Sequence, residues 1–217
     1  MSLTHYLTTH FYTTTELCAA LRIDASQLEQ WQEAKLFPKP SYCLQNHIKC
    51  SSYLGFYECE EWQDYYPRGA ANWGQTLLKQ KVMQASSAFE LFAQSYLATL
   101  SKVVQQGVEC QDPRFSDELD DHLQQVWQQY LCSKYGVISQ NGLVEEVVYI
   151  DLGRAIVDEV TEERAKVSLS VEERSLLLKG IKLLNRGLSH HAAHEKHDSL
   201  RYHYVDAILQ KYDLTIR

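Results

Sequence analysis

Phe11-Tyr12-Thr13-Thr14-Thr15-Glu16-Leu17-Cys18-Ala19-Ala20-Leu21-Arg22-Ile23-Asp24-Ala25-Ser26 is the stretch that decides the fold of the N-terminal part of the chain. Leu17, Ala20 and Leu21 recur at helical spacing, Thr14 or Thr15 can cap the helix, and Glu16 suits its positive end. Arg22-Ile23-Asp24-Ala25 is a short turn with one apolar plug, Ile23. Ser26 then predicts the cap of a second helix, Gln27 to Lys35, with Leu28, Trp31 and Leu36 facing inward. Two short helices joined by a tight turn make a helix–turn–helix.

Pro38 and Pro40 end that unit, because neither can continue a helix. Tyr42 to Tyr57 is rich in Tyr, Cys, Ile and Phe, with Gln45-Asn46 and Leu54-Gly55 as turn candidates. It reads as a β-hairpin or two short strands, the wing of a winged helix. Asp64 to Ala71 is the weakest joint. From Asn72 to Gln105 there is no proline and one glycine, Gly74, and Leu78, Val82, Ala85, Phe89, Phe92, Tyr96 and Val103 recur in steps that approach a coiled-coil seam. Further helices are predicted over Ser116–Tyr135, stopped by Gly136, over Leu143–Glu163, from the capping box at Ser170 to about Leu188, and over Ser199–Tyr212. The expected fold is mainly α: a winged helix–turn–helix over residues 1–70 with a small β-hairpin wing, then a helical bundle over 71–217 with one long helix at about 72–105.

The 217 residues are 45% hydrophobic and 23% charged, ordinary for a globular protein long enough to bury a core. No stretch reaches the roughly 18 apolar residues of a membrane helix. Met1-Ser2-Leu3-Thr4-His5-Tyr6 lacks the basic start of a signal peptide, so a cytoplasmic protein is expected, with its six cysteines as free thiols. The net charge of −7 argues against a surface that attracts nucleic acid or acidic lipid throughout.

Tyr12-Thr13, Glu16-Leu17, Ile23, Ser26, Leu28, Trp31 and Leu36-Phe37-Pro38 resemble the start of MerR-family regulators. The resemblance implies a second helix in the DNA major groove, a wing on the backbone, and a following long helix that forms an antiparallel dimer. Thr14, Ser26, Gln27, Gln30, Lys35 and Lys39 would then touch DNA, and the 78–103 helix would make a homodimer. The charges depart from the pattern. Helix two carries Glu29 and Glu33 against Lys35 and no arginine, and residues 1–70 hold five basic against eight acidic side chains, a balance of −3. Lysine and arginine on phosphates supply most DNA affinity, and glutamine can read adenine without supplying it. Separately, Tyr135-Gly136-Val137 and His194-Glu195-Lys196, Ser199, Arg201 and Val205-Asp206 resemble a bacterial family of unknown function, some members of which are labelled natural-product biosynthesis proteins. That resemblance implies no reaction.

Three constellations could carry chemistry. His190, His191, His194, His197 and His203 crowd together with Glu195 and Asp198; on a continuous helix His190, His194 and His197 would share a face able to chelate a metal. The alternative is a polar helix junction in which Arg201 pairs with Glu195 or Asp198. Cys43, His47, Cys50 and Cys59 are ligand types, but without a paired C-x-x-C knuckle they read better as wing packing. Tyr53, Phe56, Tyr57, Trp62, Tyr65, Tyr66 and Trp73 are dense enough to line a ligand pocket (Tyr53, Tyr57, Trp62, Tyr66 and Trp73 above all) or to pack a joint. No nucleophile–base pair, P-loop or Rossmann glycine pattern is visible, and no cofactor is predicted. The leading expectation is a MerR-like regulatory protein that binds DNA. The alternative is a non-catalytic accessory protein whose winged fold binds another protein. A metal enzyme built on His190–His197 comes last.

Overall fold

The computed structural model describes residues 2–108 and 110–215. The chain is mainly helical with one small antiparallel sheet. A first helix, α1 (Leu3–His10), and a short strand, β1 (Phe11–Thr13), come before the two short helices and were not legible as elements. Thr13, rather than Thr14 or Thr15, caps α2 (Thr14–Leu21). Its hydroxyl accepts from the Glu16 amide, and the Glu16 carboxylate accepts the Thr13 N–H at 2.8 Å, closing a capping box. Arg22 takes a left-handed conformation (φ 58°) and ends α2, with the Ile23 amide returning to the Cys18 carbonyl. Asp24, rather than Ser26, therefore caps α3 (Ala25–Glu33), accepting from the Gln27 amide at 2.8 Å.

β2 (Tyr42–Ser52) and β3 (Gly55–Pro67) form a hairpin much longer than expected, with β1 paired on the other edge of β3. The turn lies between Ser52 and Gly55. Gln45 and Asn46, read as a turn candidate, are in mid-strand opposite Trp62 and Glu61. The joint at Asp64–Ala71 is strand up to Pro67, then the start of the next helix.

The long helix is two helices. α4 (Ala70–Gln80) ends at Lys81 (φ 52°), the Val82 amide donates to the Leu77 carbonyl, and α5 (Ala85–Gln105) starts afresh. Leu77 and Val82 are both buried across this turn, the apolar contact that accompanies such a stop. Of the expected seam, Leu78 and Ala85 are exposed, Phe89 is half-buried, and Val82, Phe92, Tyr96 and Val103 are buried. Ala88, Phe92, Tyr96, Leu100 and Val103 are buried in the chain's own core, with Phe92 5.1 Å from both Trp127 and Tyr130 (ring centroids). This burial makes α5 a central helix of the bundle.

α6 (Leu119–Leu131) stops at Cys132–Ser133, not at Gly136, which lies inside the short α7 (Lys134–Ile138). α8 (Val144–Thr161) is buried along most of its length despite its β-branched run. It meets α9 (Val171–Gly187), capped as expected by Ser170, at Gly153 and Gly180: a Cβ on Gly180 would stand 2.8 Å from Ile156 Cγ2. After a 3-10 turn at Ala193–Glu195, the expected last helix is present over residues 200–211, with a π segment at Tyr202–Asp206 ahead of α10 (Ala207–Lys211). The main hydrophobic core runs from Leu17 to Tyr212, and a smaller one gathers Tyr6, Leu7, Phe11, Tyr65 and Ala192. Trp73 joins the N-terminal elements to the bundle, with its ring against Trp127 and Tyr130 and its N–H on the Leu36 carbonyl at 2.8 Å. Among the described residues no helix is long and apolar enough to cross a membrane.

Candidate functional site

The outer face of α3 carries Ser26 and Gln30 exposed, with Gln27 and, on α2, Thr14 half-buried. Lys35 and Lys39 are exposed but share a shallow depression with Glu29 and Glu33, which offset their charge. Gln32 turns inward and donates to the Pro38 carbonyl and the Tyr66 hydroxyl. The hairpin projects from this unit. Tyr53 (103% exposed), Phe56 (93%) and Trp62 (68%) stand in solvent, as do Leu54 and Tyr57, and the strands bear Glu58, Glu60, Glu61 and Asp64 against Lys49.

This placement divides the expected aromatic pocket. Tyr53, Tyr57 and Trp62 lie on the open hairpin while Tyr66 and Trp73 are core, so the five do not line one cavity. Strand pairing likewise separates the cysteine group. Cys43 lies opposite Asp64, Cys50 opposite Tyr57 and Cys59 opposite Ile48, and His47 bonds Glu58 at 2.5 Å. All six cysteines are thiols. The histidines share no helix face, because residues 189–192 are not helical and His194 sits in the 3-10 turn. Among the described residues no three His, Cys, Asp or Glu side chains form a metal-ligating group.

What the C-terminal segment builds is a cavity of about 230 Å³ between α7 and residues 188–201. Val137, Ile138, Leu188 and Leu200 give it an apolar floor; Ser189, His191, Glu195, Asp198, Ser199 and Arg201 give it polar walls. The Ser189 amide on the Ile138 carbonyl (2.9 Å) and the Ser189 hydroxyl on the Val137 carbonyl (3.0 Å) hold the two sides together. Arg201 reaches back over the end of α9, donating to the Ser189 carbonyl (3.0 Å), the Leu188 carbonyl (2.8 Å) and Asn185 Oδ1 (2.6 Å). It pairs with neither Glu195 nor Asp198, against expectation, because the exposed carbonyls at the end of α9 claim the guanidinium. Glu195 instead accepts the Tyr42 hydroxyl at 3.0 and 3.1 Å and the Ala192 amide at 3.1 Å, tying the cavity wall to the base of β2. Burial pushes the Tyr42 phenol far above its ordinary range, so it remains a donor. His191 sits at φ 49°, and its Nδ1 is buried without a partner. Burial, with the Arg201 charge behind it, holds this imidazole below its usual 6.5, hence neutral at pH 7.

A second polar cluster lies inside the bundle. Asp151 on α8 accepts the Tyr135 hydroxyl at 2.7 Å and the Tyr96 hydroxyl at 3.3 Å, while His122 Nε2 is 3.2 Å from Tyr96 and 3.6 Å from Asp151. All four residues are buried. Burial first, then the Asp151 charge, raises both phenols, which keeps them protonated. Asp151 and His122 escaped the sequence reading. The available signal was a carboxylate amid Val147, Val148, Ile150 and Leu152, where only a hydrogen-bonded acid is tolerated.

No curated protein and no solved structure matches the chain. Residues 88–213 match the family described as "Family of unknown function (DUF6058)". The match takes in both polar clusters, apart from Tyr42, and begins after the hairpin. Since it covers more than half of its residues, the chain belongs to this DUF6058 family of unknown function.

Proposed function

We propose that this chain is a non-catalytic accessory protein whose N-terminal unit, a winged helix–turn–helix of MerR type, binds another protein rather than DNA. The order α2, turn, α3, hairpin, with β1 paired to β3, supports the winged fold. The observation that carries the reading is the hairpin itself. Where a wing would need cations to hold phosphates, this one has a charge of −3 and an exposed aromatic tip of Tyr53, Phe56 and Tyr57. Exposed aromatics in an acidic surround suit a protein partner with an apolar patch ringed by lysine or arginine.

The test places a photo-crosslinking residue at Tyr53 in the producing cell, with and without Glu58→Lys, Glu60→Lys and Glu61→Lys. A discrete protein adduct lost on charge reversal is expected. An adduct with nucleic acid, or none with protein, overturns the reading. The second reading, a MerR-like DNA-binding regulator, is favoured by the open outer face of α3, where Ser26 and Gln30 are exposed. It requires salt-dependent duplex binding that disappears on Lys35→Glu.

A further inference from the structure

The cavity between α7 and residues 188–201 holds opposite charges that do not meet. Among the described residues Arg201 makes no ion pair, and three of its five N–H groups are committed, to two carbonyls and an amide oxygen. Asp198, an exposed residue, lines the same space. The His191 side chain lines the same space, with its Nδ1 buried and unpaired behind the wall. A buried polar atom left unpaired is unfavourable, and a residue other than glycine at positive φ adds strain. With Glu195 and Asp198 against Arg201 the walls carry a net −1, which disfavours a simple anion. A simple cation would leave Arg201 unanswered. A group carrying both charges answers both, and the apolar floor takes a short hydrocarbon body. The volume of about 230 Å³ lies below the roughly 300–1,000 Å³ of drug-sized pockets and fits a metabolite of amino-acid size.

We propose that this cavity binds a small apolar α-amino acid as its zwitterion. The carboxylate faces Arg201, the ammonium faces Asp198, and the side chain lies on Val137, Ile138, Leu188 and Leu200. The site is separate from the hairpin and does not depend on what the hairpin binds.

Calorimetric titration of the full chain with L-leucine, 4-methylpentanoate and 3-methylbutylamine tests this, since the three share one hydrocarbon body and differ in charge. Saturable L-leucine binding is expected, with each single-charge analogue at least about tenfold weaker, the ratio for one lost charge-assisted hydrogen bond. Asp198→Asn should weaken L-leucine by about the same factor, and Ile138→Trp, which fills the floor, should abolish binding. Arg201 also holds the end of α9, so these two substitutions, checked by circular dichroism, carry the test. Equal affinity for 4-methylpentanoate, unchanged binding in Ile138→Trp, or no L-leucine binding into the millimolar range overturns the proposal.

Discussion

Tyr135→Phe removes one oxygen atom from the middle of the bundle and tests whether Asp151 is held there as a charged acceptor. The hydroxyl lies 2.7 Å from Asp151 Oδ1, with the Tyr135 side chain 2% exposed, so water cannot replace the lost donor without disturbing the packing. A hydrogen bond to a charged group contributes about 1.5–3 kcal/mol, and the ring itself is retained, so no cavity larger than the hydroxyl is added. The predicted loss is about 2 kcal/mol. Tyr96→Phe should cost less, about 1 kcal/mol, because its contacts at 3.2 and 3.3 Å are longer and shared between His122 and Asp151. Urea unfolding at 25 °C and pH 7 measures both. Tyr149→Phe is the control, since that hydroxyl accepts from Arg186 at a solvated surface. The double variant Tyr135→Phe/Asp151→Asn should show a coupling of at least about 1 kcal/mol, as groups in direct contact do. A Tyr135→Phe protein within about 0.5 kcal/mol of the parent would refute the reasoning, since surface changes fall in that range.

Phe92→Ala should lower stability by about 3–5 kcal/mol, by an amount independent of protein concentration. A concentration-dependent midpoint would restore the dimer seam. Gly180→Ala should destabilise by about 1–3 kcal/mol despite alanine's better helix propensity, because its Cβ would stand 2.8 Å from Ile156; thermal unfolding reads the sign, and a stabilised protein contradicts the close α8–α9 contact. His191 and His10 both have folded-state pKa values below 6.5, so the unfolded chain binds protons first as pH falls through 6.5. Stability should decline from there until the folded pKa is reached, and His191→Gln should flatten that decline. A steeper decline would reverse the assigned sign.

The elements that were legible in the sequence announce themselves locally. Leu17, Leu28 and Trp31 mark the inner faces of α2 and α3, and Ser170 with Glu173 caps α9 as its spacing demands. α8 could be read as a helix even though Val147–Ile150 favours a strand, because its apolar periodicity runs over many turns. Helix ends were harder. Arg22, Lys35, Lys81, Ser133 and Glu162 all take positive φ at or near helix boundaries where glycine is the usual signal. Packing enforces these stops, through contacts such as Val82 with Leu77, and composition does not reveal them. A periodic seam also cannot say whether its partner is another chain or another helix of the same one, and Trp127 and Tyr130 supply that answer for Phe92. At the cavity, the importance of the 190–201 segment was visible in its crowd of polar residues. Its chemistry was not, because it depends on Arg201 folding back onto the end of α9 and on Glu195 reaching Tyr42 across 153 positions.

On the proposed function, the N-terminal unit from α1 to β3 does not grip nucleic acid. Fluorescence anisotropy of a labelled mixed-sequence DNA duplex, titrated with the full chain at about 50 mM salt, tests it most directly, because phosphate contacts show most strongly at low ionic strength. No saturable binding and no dependence on salt are expected there. Saturable binding that weakens linearly in log–log terms as salt rises, and that Lys35→Glu removes, would contradict it.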